Sequence, residues 1–66
     1  MAPTMGKLRH DLNNQLGIIV GFSELVLADL EPSNRLHGDL EEIHTAAVRA
    51  LELVAEMSRE ADASGE

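Results

Sequence analysis

Apolar residues recur along this chain at helical spacing in two separate stretches. At about 100° of rotation per residue, the first stretch places five apolar side chains in one narrow stripe, namely Leu8, Leu12, Ile19, Val26 and Leu30. The second stretch holds eight apolar residues that step alternately by four and three, namely Leu36, Leu40, Ile43, Ala47, Ala50, Val54, Met57 and Ala61. This spacing is typical of the seam along which one helix packs on another. The pattern predicts an all-α fold of two long amphipathic helices.

Helix one is predicted over about residues 6–30, with its stripe facing the core. Thr4 is a suitable N-cap, because its hydroxyl can accept a hydrogen bond from a free backbone N–H of the first turn. Pro32 ends the helix, since proline cannot continue the backbone hydrogen-bond ladder. A turn is therefore expected over residues 31–34.

Helix two is predicted over about residues 35–61, with Ser33 or Asn34 as its cap. Two helices joined by a short turn form an antiparallel hairpin, and the chain of residues 1–66 is expected to be a single domain. A hairpin of this size leaves one apolar side open and buries too little surface to be comfortably stable alone. Closing it against a second copy predicts a homodimeric four-helix bundle with two-fold symmetry.

Composition and charge narrow the classes of partner. Hydrophobic residues make up 44% of the chain, which argues against a disordered segment. The net charge of −7 argues against nucleic acid or an anionic membrane surface as a partner and favours another protein. The longest apolar run, Leu16–Phe22, contains two glycines and is far shorter than the roughly 20 residues needed to span a bilayer. With no cysteine and no secretory signal pattern, a soluble cytoplasmic protein is expected.

His10 points away from the apolar stripe of helix one. The residues on its side of the helix are small or neutral polar, namely Gly6, Asn13, Asn14, Gly17 and Gly21. Each glycine inside a helix costs about 1 kcal/mol relative to alanine, so a compensating role is expected. The glycines either clear space for the backbone of another protein or permit close helix packing and local bending.

The other two histidines are weaker candidates for a site. His37 and His44 lie on one side of helix two, but about 10 Å of helix rise separates them, which is too far for one metal ion. We therefore expect no metal site and assign both histidines to ordinary flanking surface. Phe22 and Met57 fall in registers that suit core packing.

Short motifs follow one another in order along the two helices. Helix one carries His10-Asp11-Leu12-Asn13-Asn14-Gln15-Leu16 and then Gly21-Phe22-Ser23-Glu24-Leu25. Helix two carries Asp39-Leu40-Glu41-Glu42-Ile43 and Ala46-Ala47-Val48-Arg49-Ala50, and ends in Ser58-Arg59. With these motifs, the stretch from Leu8 to Arg59 resembles the dimerisation and histidine-phosphotransfer domain (HisKA type) of bacterial two-component sensor histidine kinases.

The match departs from the common pattern of that family at two places. Many of these kinases have a proline shortly after the histidine, which kinks the helix, whereas Asn14 and Gln15 occupy that region here. A helix without that kink is therefore expected. Near the end of helix two, Val54-Ala55-Glu56-Met57 stands where relatives often show a leucine pair and a phenylalanine.

The resemblance implies a role for three residues of helix one. It implies that His10 is the phosphoacceptor, and that Asp11 orients the imidazole and accepts its proton. It also implies that Asn14 helps to position a water that hydrolyses the aspartyl phosphate of a receiver domain. Without the resemblance, Asp11 would be interpreted as a solvated helix acid, because consecutive helix residues diverge by about 100°. Asn14 could equally be an asparagine on a polar face.

The function expected from the resemblance is that of a phosphoacceptor and dimerisation domain of a histidine kinase. The domain would receive phosphate on His10 and transfer it to an aspartate of a response-regulator receiver. The 66 residues leave no room for an ATP-binding domain. No cofactor is therefore expected in this chain, since ATP and magnesium would be bound by a separate kinase domain. The resemblance makes the chain part of a kinase and does not decide whether the chain alone is an enzyme. The alternatives are a free-standing phosphotransfer protein of a phosphorelay and a non-catalytic helical dimerisation module.

Overall fold

The computed structural model describes residues 5–63, which form two helices and the turn between them. Helix α1 spans Met5–Asp29 and helix α2 spans His37–Ala63. The two helices pack side by side along their lengths, which confirms the prediction of an all-α hairpin. α1 runs without a break past Asn14 and Gln15, as expected from the absence of a proline there. Thr4, the predicted cap of the first helix, lies outside the described residues.

Neither helix in the described part of the chain combines the length and apolar character that crossing a bilayer requires. Outside its apolar stripe, α1 carries polar residues and glycines. Helix α2 carries charged residues along most of its length. Both helices are therefore amphipathic elements that pack through one part of their circumference.

Asn34 organises the turn between the helices. Its side-chain oxygen accepts a hydrogen bond from the backbone N–H of Leu36 at 2.8 Å, and its carbonyl oxygen accepts one from the N–H of His37 at 3.0 Å. The N–H of Asn34 in turn donates to the carbonyl of Glu31 at 2.9 Å. Of the two predicted caps, Asn34 rather than Ser33 satisfies the free donors at the start of α2.

The side of α1 that packs on α2 is not the stripe that the sequence pattern selects. Five residues of the packed side are buried or half-buried, namely Leu16, Val20, Ser23, Leu27 and Leu30. The predicted stripe lies about 60° of rotation away and shares only Leu30 with the packed side. Its other members, Leu8, Leu12, Ile19 and Val26, are each 44–48% exposed. The core-facing prediction for these four residues is thus wrong for the single hairpin.

In α2 the predicted seam divides into two sets. Leu40, Ala47 and Val54, spaced by seven residues, pack towards α1, and the last two are only 5% and 7% exposed. The alternate members Leu36, Ile43 and Met57 remain 41–48% exposed. A heptad seam presents residues to two directions, and a single neighbouring helix covers only one of them.

Several of the uncovered apolar residues of both helices meet on one side of the hairpin. They line two adjoining depressions between the helices, which we call the apolar groove, formed by Leu16, Ile18, Ile19, Phe22, Ser23, Val26, Leu40, Ile43, Ala46, Ala47 and Ala50. Phe22 is 64% exposed at its edge, so the expectation of core packing for Phe22 and Met57 is not met in the hairpin. Since the molecule is only 13 Å across in its thinnest direction, no second layer formed by residues 5–63 covers the groove.

Gly17 and Gly21 lie on α1 in open space. A Cβ atom built at either position would meet no atom within 4 Å outside its own stretch of helix. Close packing between α1 and α2 therefore does not require these glycines. Within the hairpin, the interpretation that they permit close helix packing is wrong.

Gly17→Ala and Gly21→Ala should each stabilise the hairpin by about 0.5–1 kcal/mol, because alanine loses less backbone entropy on folding and meets no steric obstacle here. Urea denaturation followed by circular dichroism measures the change. Gly38→Ala is the matched control, since a Cβ at this position of α2 also enters open space. A loss of stability at Gly17 or Gly21 alone would show that something packs against this face of α1 in solution.

Candidate functional site

His10 stands in the second turn of α1 with 74% of its side chain exposed. Ile19, which lines the apolar groove, follows it by nine residues, a rotation of about 180°. The imidazole therefore projects from the opposite side of the helix to the groove. The imidazole is therefore exposed to other molecules, as the sequence pattern predicted.

Asp11 has its two carboxylate oxygens directed at different neighbours. Oδ1 lies 3.7 Å from Nδ1 of His10, which is longer than a direct hydrogen bond. Oδ2 accepts a hydrogen bond from Nζ of Lys7 at 2.8 Å. Although neighbouring residues on a helix diverge in direction, the side-chain torsions bring Asp11 towards the imidazole.

Lys7 was not among the residues selected from the sequence. It precedes Asp11 by four residues, a spacing at which oppositely charged side chains on a helix meet. That rule alone could have predicted the pair. The cluster of Lys7, His10 and Asp11 is confined to α1 and is exposed, with side chains 64%, 74% and 50% accessible.

Lys7 also lowers the pKa of Asp11. Its ammonium group lowers the pKa of the Asp11 carboxyl below the ordinary value of 3.8, mainly through the hydrogen bond and also through its charge. Desolvation opposes this shift, and His10 contributes less to it than Lys7 does. Asp11 is therefore a carboxylate throughout the neutral pH range. A permanent negative charge beside Nδ1 favours a proton on that nitrogen.

Asn14 follows His10 by one turn of α1 and is exposed. Within residues 5–63 its side-chain amide has no hydrogen-bond partner, so its donor and acceptor atoms are available to a bound molecule. Asn13 is exposed as well but points about 100° away from Asn14. Gly17 and Gly21 continue the His10 side of the helix with no side chain at all, so this side of α1 is open about 10 to 16 Å of helix rise beyond the imidazole.

His37 and His44 are half-buried at the edge of the seam between the helices, whereas the sequence predicted ordinary flanking surface for both. Their side chains are only 23% and 28% exposed. His44 Nε2 lies 3.0 Å from Oε2 of Glu24 on α1, which is a direct polar link between the helices. His37 Nδ1 lies 3.7 Å from Oε1 of Glu41 on its own helix. Sequence spacing could not reveal the first pair, because its members are 20 residues apart.

These contacts do not amount to a metal centre. Across the described residues, no group of three or more histidine or acidic side chains is arranged to hold an ion. Of the three histidines, His10 alone combines high exposure with a neighbouring carboxylate on an unobstructed face.

Comparison of the chain with models of known protein families, with curated protein sequences and with solved structures gives no match. The local chemistry of the His10 cluster and the geometry of the hairpin are therefore the basis for assigning a function.

Proposed function

We propose that this chain is the phosphoacceptor and dimerisation domain of a two-component histidine kinase, with His10 as the phosphorylated residue. The observation that carries the proposal is the exposed imidazole of His10 with a permanently ionised carboxylate 3.7 Å from its Nδ1. An imidazole is a nitrogen nucleophile that is substantially neutral near pH 7, and phosphoryl transfer to nitrogen requires such a group to be accessible. The resemblance of the His10–Leu16 motif to the family's H-box supports the same assignment.

In the proposed reaction, Nε2 of His10 attacks the γ-phosphorus of ATP held by a separate kinase domain. The Nε2–P bond forms as the bond to the bridging oxygen breaks, and ADP leaves with the electron pair. Asp11 stabilises the positive charge that develops on the ring and takes the proton from Nδ1. The phosphoryl group then passes from Nε2 to a carboxylate oxygen of a receiver aspartate. Such a reaction, fed by ATP, takes place in the cytoplasm.

The His10 side of α1 supports docking of the receiver domain. The receiver must bring its aspartate within bonding distance of Nε2, so the surface around His10 has to be free of large side chains. Gly17 and Gly21 provide that space at a cost in helix stability. Asn14 lies one turn from His10 and has no hydrogen-bond partner among residues 5–63, which supports a role in binding a water near the same aspartate.

The apolar groove supports dimerisation through the opposite side of the hairpin. Ile19, Ile43 and Phe22 are 44%, 48% and 64% exposed in one apolar groove, and an exposed apolar surface of this kind is typical of a protein–protein contact. A second hairpin laid on the groove with two-fold symmetry completes a four-helix bundle and leaves both His10 side chains outside it. A pure dimerisation module would use the groove equally well, so the His10 cluster is what favours a phosphoacceptor.

The native chain should sediment as a dimer at tens of micromolar. Ile43→Asp should weaken dimer association at least about 100-fold, or about 2.7 kcal/mol, because each copy would bury a carboxylate in the groove. Thr45→Asp adds the same charge on an exposed position of α2 and should leave the dimer intact. Sedimentation equilibrium measures both. A folded native monomer at these concentrations would remove the four-helix bundle.

Incubation with a histidine kinase catalytic domain, ATP and Mg²⁺ should place acid-labile phosphate on His10. His10→Gln should abolish labelling, whereas His37→Gln and His44→Gln should retain it, because those two imidazoles are half-buried at the edge of the seam. Acid lability and mass spectrometry of the labelled peptide identify the site. Labelling that survives in His10→Gln but is lost in His44→Gln would contradict the assignment.

Asn14→Ala should leave His10 phosphorylation within a few fold of normal but slow receiver dephosphorylation by roughly 10 to 100 fold, a loss of about 1.4 to 2.8 kcal/mol. Asp11→Ala should impair phosphorylation itself. Decay of labelled receiver phosphate, corrected for the receiver's own rate, gives the comparison. Asn13→Ala is the matched control, since it removes the neighbouring amide that points elsewhere. Equal decay with native protein and Asn14→Ala would mean that Asn14 is only polar surface.

A further inference from the structure

Lys7 lies at one end of a chain of three charged or polar groups on the exposed side of α1. Its Nζ binds Oδ2 of Asp11 at 2.8 Å, and the other carboxylate oxygen faces Nδ1 of His10 at 3.7 Å. The groups that shift the Asp11 titration are Lys7 and His10, both from α1, and α2 contributes none of them. The carboxylate is thus held from one side by Lys7 and presented to the imidazole on the other.

We propose that Lys7 is a positioning residue for phosphoryl transfer: by binding Oδ2 of Asp11 it holds Oδ1 towards Nδ1 of His10, which keeps the proton on Nδ1 and the lone pair on Nε2. The inference rests on the proposed function of His10. It adds a residue outside the His10–Leu16 motif to the phosphoacceptor site. Lys7 acts through Asp11 and needs no contact with the phosphoryl donor.

The physical reason lies in the freedom of an exposed aspartate. A carboxylate on a helix surface samples several side-chain torsions, and most of them turn it away from the side chain of the preceding residue, here His10. An ammonium four residues earlier selects the torsion that points back along the helix. The remaining oxygen then faces the imidazole, whose Nδ1–H is favoured by the nearby negative charge.

The contact with Lys7 also makes Asp11 a weaker base. The effect of Lys7 on the position of the Asp11 carboxylate can be measured separately from its effect on the basicity of that carboxylate. Lys7 lowers the pKa of Asp11, and its removal should raise that pKa towards 3.8. At pH 7.5 Asp11 is ionised with or without Lys7. A rate change at that pH therefore reports where the carboxylate is held, not whether it is charged.

The first test uses NMR on the 66-residue chain and needs no kinase. Lys7→Met should raise the Asp11 pKa in a carboxyl ¹³C titration and reduce the fraction of neutral His10 that carries its proton on Nδ1, read from the imidazole ¹⁵N shifts. Lys7→Arg should preserve both readouts. Arg49→Met, which removes one positive charge from the exposed face of α2, is the matched control and should change neither. Circular dichroism checks that each variant is helical.

The second test measures phosphorylation of the same proteins by phosphoramidate at pH 7.5. In that reaction the Nε2–P bond of His10 forms as the P–N bond of the donor breaks and ammonia leaves. Lys7→Met should slow it by about 3 to 10 fold, since displacement of an orienting group weakens catalysis without removing the nucleophile. Lys7→Arg and Arg49→Met should stay within about twofold of the native rate.

The outcomes are distinct. A fall in both the Nδ1–H fraction and the rate, restored by arginine, supports the proposal. An unchanged His10 tautomer in Lys7→Met overturns it, as does a changed tautomer with an unchanged rate. If native His10 accepts phosphate neither from phosphoramidate nor from a kinase domain, the proposed function itself fails, while the NMR readouts still decide whether Lys7 orients Asp11.

Discussion

A pair of helices can shield only one side of each partner, and this constraint shapes the whole hairpin. The apolar residues of α1 cover two adjacent sides of the helix, and those of α2 do the same. Packing through Leu16, Ala47 and Val54 sets the rotation of each helix about its axis. The second apolar side of each helix is then left facing one common direction, and the polar side that carries His10 faces away from it. The exposure of the imidazole is thus a consequence of the seam.

Small and polar residues at the centre of the seam let the helices approach closely. Ala47 and Ser23 are both 5% exposed, and the hydroxyl of Ser23 donates to the carbonyl of Val20 at 2.9 Å. A buried hydroxyl satisfied within its own helix avoids the desolvation cost of an unpaired polar group. The Glu24–His44 link adds little net free energy in a partly exposed position, but it distinguishes one register from others. A slip of α2 by one heptad would place His37 or Leu51 opposite Glu24 instead.

The sequence predicted the number and limits of the helices because their signals are local. Pro32 and Asn34 mark the turn by backbone chemistry, and the ends differ from those observed by one or two residues. The choice of which apolar side packs on the other helix does not depend on local sequence. The pattern favoured the side with the larger side chains, whereas the helices of the hairpin pack through the side with Ser23 and Ala47. For the candidate site, the exposure of His10 followed from rotation about one helix. The placement of His44 beside Glu24 depends on the register between the two helices. The spacing of residues within one helix gives no information about that register.

The antiparallel course of the chain brings the start of α1 and the end of α2 to the same end of the hairpin. His10 lies only about 8 Å of helix rise from Met5, whereas the turn is roughly 30 Å further along α1. A fluorophore attached near Met5 or near Ala63 would therefore lie at the His10 end of the hairpin. A label placed in the turn, on Ser33 for instance, would keep the His10 end unobstructed and would report on the molecule from its distal tip.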